Sequence, residues 1–355
     1  MIEFVRQSVL PYFGIASADA KVLPLGNGHI NDTLLVRWPA GELVLQRINT
    51  EVFKLPEVLV ENAQKICTHL SAKFHAAEYR LKVINPHLTQ DNALFIDLGE
   101  QGFWRAISYL PHSLSVEVVS SERDAQMAAK AFGHFAKALS DFDAQQLMDV
   151  IPNFHHLAGR LELLKTAVAN DSHQRLSKCQ PWVDFVMSQL AIVDEIETIS
   201  PQLPLRTCHN DTKINNMLFD KRDMSSMAII DLDTCMKGHL MYDFGDMVRT
   251  FTSPEAEDST QLSHVRVRPE VFAAICRGYL GELNNVLTDI EKRSLWLGAR
   301  VMCLMIGVRF LTDYLNGDVY FHIHRANHNL ERAANQFTLY QSLLAQETLL
   351  TSYLN

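Results

Sequence analysis

From residue 20 to about 110 the chain reads as short strands. From 121 onward it reads mostly as helices, and that order constrains the fold more than any single residue does. "KVLPLGNGHINDTLLVRW" (21–38) sets a glycine-bearing turn between two apolar strands, and "GELVLQRIN" (41–49) follows as a third. "LPEVLVENAQKICTHL" (55–70) then places Val58, Leu59, Asn62, Ile66 and Leu70 near helical spacing, with Pro56 suited to a first turn. "YRLKVIN" (79–85), "NALFIDL" (92–98) and "FWRAISYL" (103–110) supply three more expected strands. Past "SYLPHS" (108–113) the period changes. "SERDAQMAAKAFGHFAKAL" (121–139) puts Ala128, Phe132, Phe135 and Leu139 on one helical face, with Ser120 or Ser121 as cap. A run of strands followed by a run of helices predicts an α+β fold. It divides into a sheet-rich lobe over 1–110 and a helical lobe over 111–355, hinged near Leu110–His112.

One β-like island, "NNMLFD…MAIIDLD" (215–233), interrupts the helices. Just before it stands "CHNDTKINN", in which four groups capable of chemistry (His209, Asp211, Lys213 and Asn216) crowd into a few residues. The run fits H-x-D-x-x-x-x-N, and Asp231 follows Asp211 by 20 positions at the end of an apolar strand. Phosphoryl transfer asks for this set. One carboxylate takes a hydroxyl proton, while an amide oxygen and a second carboxylate hold Mg²⁺ on the nucleotide phosphates. Either piece alone would read as a polar turn or a solvated strand end; together they define a candidate site.

Composition then removes alternatives. A net charge of −9 over 355 residues argues against nucleic acid as the main partner. Six cysteines lie far apart with no CxxC pair, which predicts buried thiols in a reducing compartment. The N-terminal "MIEFVRQSVLPYFGI" lacks the apolar core and cleavage site of a signal peptide. "LWLGARVMCLMIGVRFL" (295–311), interrupted by Arg300 and Arg309, reads as a buried helix, not a membrane span. The expectation is a cytoplasmic protein with no membrane partner, a monomer or weak dimer.

These phrases resemble the aminoglycoside phosphotransferase and choline kinase superfamily, which has a protein-kinase-like bilobal fold. Within it the chain is most similar to the N-acetylhexosamine 1-kinases. The closer likeness rests on "GNGHINDT" (26–33), "LVLQRINTEVFKLPE" (43–57), "IPNFH" (151–155), "CHNDTKINNMLFD" (208–220), "IDLDTCMKGHLMYDFGDMVR" (230–249) and "RFLTDYLNGDVYF" (309–321). The resemblance implies an ATP- and Mg²⁺-dependent kinase of a small hydroxyl compound. Asp211 would be its base, with His209 packed beneath the catalytic loop, and Asn216 and Asp231 its metal ligands. Asp233 would add a further carboxylate on the same strand face as Asp231. Asp243 would be a structural aspartate accepting backbone N–H groups.

In the first lobe the resemblance implies that Gly26, Gly28 and His29 cover the phosphates. A basic residue of the third strand, Arg47 in preference to Gln46, would pair the phosphates and an acid of the next helix, Glu61 in preference to Glu57. Adenine would be gripped by backbone near Ile107–Leu110. "RFLTDYLNGDVYF" gathers Arg309, Asp313, Tyr314, Asp318 and Tyr320, groups suited to a sugar and its acetamide; the plain alternative is a helix ending at an "NG" turn. His322, His324 and His328 could be imagined on zinc, but no cysteine or carboxylate stands near them in sequence. The expected reaction is phosphorylation of an N-acetylhexosamine at its anomeric hydroxyl. Another sugar, an amino-alcohol or an aminoglycoside is the alternative acceptor, and a kinase-like protein that binds without catalysis the alternative class.

Overall fold

Alternation of apolar residues along 21–48 folds as the sequence suggests, into antiparallel strands with one face turned to a core. The computed structural model describes residues 1–26 and 30–354. It has two compact units. The first comprises Met1–Leu114, Asp141–Pro152 and Leu218–Lys237, and the second Ser115–Ser140, Asn153–Met217 and Gly238–Asn355. The division is therefore not a single cut near 110: two later segments return to the first unit.

The first unit opens on a short turn of helix, α1 (Ile2–Phe4), and is built on a six-stranded sheet. Its strands are β1 (Lys21–Pro24), β2 (Asp32–Trp38), β3 (Gly41–Ile48), β4 (Pro86–His87), β5 (Ile96–Asp97) and β6 (Phe103–Ser108). The order is β1-β2-β3-β6-β4, with β5 also paired to β6. Leu34, Val36, Leu43, Leu45, Trp104 and Ala106 share one face and pack with Val5, Val9 and Phe13 of the N-terminal segment. Because side chains alternate along a strand, Thr33, Gln46 and Arg105 belong to the other face. They sit side by side in register across β2, β3 and β6. Helix α2 (Pro56–His75) starts on Pro56 and buries Val58, Leu59, Asn62, Ile66 and Leu70, the face that its spacing predicts.

Two expected strands shrink or vanish. Within 92–98 only Ile96–Asp97 is strand, and 79–85 is irregular. Tyr79, Leu81 and Ile84 are buried all the same, and the Lys82 N–H bonds to the Met227 carbonyl outside the sheet. Apolar alternation there marks burial, not strand. A three-stranded sheet follows, in the order β10-β9-β7, from β7 (Ser113–Leu114), β9 (Met217–Asp220) and β10 (Ser226–Ile229).

The second unit carries the strand β8 (Arg206–Cys208) and the helices α3 (Glu122–Ala138), α4 (Leu157–Asn170), α5 (Leu176–Met187) and α6 (Ala191–Ile199). After these come α7 (Leu240–Phe251), α8 (Pro269–Leu283), α9 (Asp289–Leu315), α10 (His328–Ala345) and α11 (Glu347–Thr351). Ser121 caps α3 through its hydroxyl, which accepts the Asp124 N–H at 3.2 Å. Such a cap contributes about 1 kcal/mol. Helix α9 is long and apolar enough to cross a bilayer by length and composition, and 83% of its most apolar window is buried inside the protein. It packs on α7, α10 and α4. Where it meets α7 the two backbones touch. A Cβ on Gly298 would lie 2.0 Å from the Met241 carbonyl oxygen, and one on Gly245 would lie 2.2 Å from that of Gly298. The C-terminal helical run breaks at Gln346, between α10 and α11. All six cysteines are buried thiols.

Candidate active site

In the second unit the loop carrying His209–Asn216 leaves β8 and is held from α7. Both carboxylate oxygens of Asp243 accept main-chain N–H groups, from His209 at 2.9 Å and Asn210 at 2.7 Å. The Thr212 hydroxyl donates to the Asp243 carbonyl at 2.6 Å. This is the structural role the resemblance implied for Asp243. Asn210 turns the chain through the left-handed region at φ 64°. His209 is fully buried, its ring set edge-on to Phe132 at 5.5 Å and tilted against Phe135 at 5.8 Å, both from α3. Its Nδ1 accepts the Asp211 N–H at 3.3 Å, so the histidine braces the loop from below.

Asp211 is thereby presented with a fixed backbone. Lys213 Nζ lies 2.8 Å from its Oδ1, and the Asn216 amide donates to its Oδ2 at 2.8 Å. Burial alone would raise the Asp211 carboxyl. The Lys213 ammonium, with help from His209 and Arg249, outweighs it and holds the group below the usual carboxylate range. Asn216 spends its amide hydrogens on Asp211, donating also to that residue's carbonyl, so its own side-chain oxygen is the part left to a cation. Behind the loop, Arg249 donates to Asp246 at 2.8 Å and to Glu257 at 2.5 Å. The second oxygen of Asp246 is buried without a hydrogen-bond partner among the described residues.

Near the same loop the expected acceptor residues split into two groups. Asp313, Tyr314 and Asp318 are buried and committed to scaffold. Asp313 accepts the N–H groups of Val319, Tyr320 and Phe321 at 2.8–3.0 Å and the Asn329 amide at 2.9 Å. Asp318 takes Arg175 at 2.5 Å and Asn329 at 2.9 Å. Arg175 also stacks on the Tyr314 ring at 4.8 Å. These three were expected to touch substrate; what they hold instead is the loop. Arg309 and Tyr320 remain open. The Arg309 guanidinium lies 5.3 Å from the Phe154 ring, 5.3 Å from Phe321 and 5.6 Å from Tyr320. Its only hydrogen bond among the described residues is a long one of 3.5 Å to the Tyr320 hydroxyl. The neighbouring Arg160 has a buried, unbonded Nε. The His155 ring nitrogens are buried, and burial with the Arg309 charge pushes its imidazole down to about 3. His328, weighed above for zinc, faces the Asp258 carboxylate at 3.2 Å, which Arg325 also engages.

The first unit carries the other carboxylates. β10 ends at Ile229, Asp231 takes φ 60°, and Leu232–Thr234 form a single tight turn. The same-face arrangement expected for Asp231 and Asp233 on a strand therefore does not occur. Asp233 is 2% exposed, with its Oδ1 on the Arg105 guanidinium and its Oδ2 on the Asn31 amide at 2.8 Å. Both oxygens are taken, which does not fit the metal-ligand role expected for Asp233. Asp231, just before that turn, carries a carboxylate, an oxygen donor of the kind a hard cation takes.

Arg47 projects on the face of β3 opposite Gln46, 39% exposed, and pairs with Asp32 at 3.8 Å. Glu61 lies on the exposed side of α2, so the expected Arg47–Glu61 pair does not form. Of the phosphate-covering residues, Gly26 has φ 71°, whereas Gly28 and His29 lie outside the described residues. Ile107 is paired to both Val44 and Pro86 in the sheet, and the Leu110 carbonyl accepts the Ser113 hydroxyl at 2.6 Å.

Sequence reasoning named Lys213 without giving it a role, and singled out neither Arg105 nor Arg160. An arginine inside the apolar run "FWRAI" was a readable signal. So was a lysine two residues from the expected base.

The chain belongs to the phosphotransferase enzyme family, whose model matches residues 21–290. Among solved structures it is similar to a microcompartment-associated aminopropanol kinase, with a TM-score of 0.60 at 15% identity over 98% of this chain and 99% of that one. It is also similar to the ethanolamine kinase of Plasmodium vivax (TM-score 0.58, 14% identity, 95% and 86% covered). A third likeness is to the choline kinase of Cryptosporidium parvum Iowa II (TM-score 0.58, 14% identity, 99% and 98% covered). These likenesses show the kinase-like α+β fold.

Proposed function

We propose that the protein transfers the γ-phosphoryl group of ATP to a hydroxyl of an uncharged, oxygen-rich acceptor, an N-acetylhexosamine at its anomeric position. The observation that carries the acceptor class is Arg309. Neither it nor Arg160 has a carboxylate within ion-pair distance among the described residues. Both belong to the unit that holds Asp211, whose charge is felt at Arg309. Aminopropanol, ethanolamine and choline, the compounds that name the similar kinases, are cations at neutral pH. Two uncompensated guanidinium groups repel a cation and favour carbonyl and hydroxyl oxygens. Aromatic rings at Phe154, Tyr320 and Phe321 suit the apolar face of a sugar ring.

In this reading Asp211, ionised and braced by His209, accepts the proton of the acceptor hydroxyl as its oxygen attacks phosphorus. Lys213 balances negative charge beside it. Mg²⁺ would neutralise the phosphates, and Asn216 and Asp231 are the oxygen donors proposed for it. Arg309 and Tyr320 orient the acceptor by donating to its oxygens.

The test is incubation with ATP, Mg²⁺ and N-acetylglucosamine or N-acetylgalactosamine, with the product read by NMR. A sugar 1-phosphate is expected, and the methyl glycoside should be inert. Turnover of choline or ethanolamine with none of the sugars would overturn the acceptor assignment. No turnover with any acceptor would leave a ligand-binding protein.

A further inference from the structure

Any nucleotide bound by the first unit brings two or three phosphate charges, and a fixed cation must meet them. Arg47 is badly placed for this. It lies on the face of β3 opposite Gln46, is 39% exposed, and stands beside Asp32. The fixed cation of this unit is Arg105. It stands on β6 in the polar row Thr33–Gln46–Arg105, on the sheet face opposite the apolar core. Its Nε donates to Gln46 Oε1 at 2.9 Å, and Gln46 in turn donates to Thr33 at 3.2 Å. Its Nη2 reaches Asp233, in the turn that carries Asp231. Asp233 also takes the Asn31 amide, whose oxygen accepts the Asn49 N–H at 2.9 Å. A single carboxylate thus joins β6, the Asp231 turn and the strand entry after the glycine-bearing turn.

We propose that Arg105, aimed by Gln46 and Asp233, is the cation this unit offers to the nucleotide phosphates, in place of a basic residue on β3. The inference rests on the nucleotide use proposed above and adds the residue responsible. Arg105 has five N–H donors, of which its bonds to Gln46 and Asp233 use two. Its Nη1 makes no hydrogen bond among the described residues. A purely structural ion pair would need neither a glutamine to orient the guanidinium nor a place beside Asp231. Buried pairs are replaceable by apolar residues at little cost, so retention of this one asks for a reason. Phosphate oxygens would meet the remaining donors while Gln46 and Asp233 keep the plane of the guanidinium fixed.

The experiment is calorimetric titration of the full chain with Mg²⁺ and a non-hydrolysable ATP analogue, and separately with adenosine, which lacks phosphates. Arg105→Met should weaken the triphosphate roughly 10–100-fold, the loss of one charge-assisted hydrogen-bonding group, and leave adenosine unchanged. Arg47→Met should change neither. Gln46→Lys added to Arg105→Met should recover part of the triphosphate affinity, because it restores a cation on the same row. Should Arg105→Met not fold, Arg105→Lys serves. It keeps the charge but cannot hold Gln46 and Asp233 together, and should show the same triphosphate-selective loss. Wild-type triphosphate affinity in a folded Arg105 variant, or its loss on Arg47→Met, would overturn the proposal. Wild-type protein binding neither ligand would instead overturn the nucleotide reading on which it stands.

Discussion

Asp211 sits between two forces of opposite sign, and the balance sets its chemistry. Burial raises its carboxyl, and Lys213 at 2.8 Å more than offsets that. The group is a depressed carboxylate, so any stability it contributes is present above its unfolded value and is lost as pH falls through the folded one. Its ionised form persists below the ordinary value of about 3.9, and an acidic loss of activity from Asp211 belongs below that pH. Lys213→Met should move the acid limb of the kcat profile upward, because the burial effect then stands with less opposition; an unmoved limb would show that Lys213 does not set the charge. Asp211→Asn should lower kcat by about 10²–10⁴-fold while sparing nucleotide affinity, measured by turnover and titration side by side.

These residues were legible because the loop is continuous in sequence. His209, Asp211 and Asn216 are spaced by the loop itself, and Lys213 stood among them unclaimed. Arg105 was not legible as a site residue, since its partners lie 59 and 128 positions away and only the sheet register brings them together.

Helix α9 connects the two ends of the proposed acceptor site. Its middle is pressed on α7 through Gly298 and Gly245, and α7 begins three residues before Asp243, which grips the catalytic loop. Its last turns present Arg309 and Asp313. Gly298→Ala would put a Cβ 2.0 Å from a backbone oxygen that no rotamer can move. A destabilisation of at least about 1–3 kcal/mol is expected by urea unfolding, and a neutral result would show that α7 and α9 can part freely. Asp313→Ala should act on the loop. Three N–H groups and one amide lose their acceptor, at about 1–3 kcal/mol for each left buried. The expected signature is a raised KM for the acceptor with an unchanged KM for ATP.

At the element scale the sequence spoke clearly where one face is apolar, as in α2, α3 and β2. It misled at 79–85 and 230–233. At 79–85 burial is supplied by irregular backbone with hydrogen bonds to distant segments, and at 231 the chain leaves the strand at φ 60°; a local pattern shows neither.

At the scale of the whole chain, strands before helices gave the α+β class. The return of 141–152 and 218–237 to the first unit was not visible, because it depends on contacts between distant segments such as that of the Asn62 amide with the Met148 and Cys235 carbonyls. Under the proposed function, Mg²⁺ with ATP at 100 times its dissociation constant should stabilise the protein by about 2.7 kcal/mol, read as a rise in Tm. Chelation of the metal, or Asp231→Ala, should remove most of that rise. A rise that survives both would separate nucleotide binding from the metal.

The loop after α9 carries a consequence for how such a chain diversifies. Its path is set by main-chain N–H groups closing on one buried carboxylate, Asp313, while Val319 and Tyr320 point outward, 79% and 50% exposed. Backbone donors are the same for nearly every residue type. Exchange of the side chains at 319 and 320 therefore leaves the anchor intact, and new acceptor preferences can be sampled there one residue at a time without first restoring the fold.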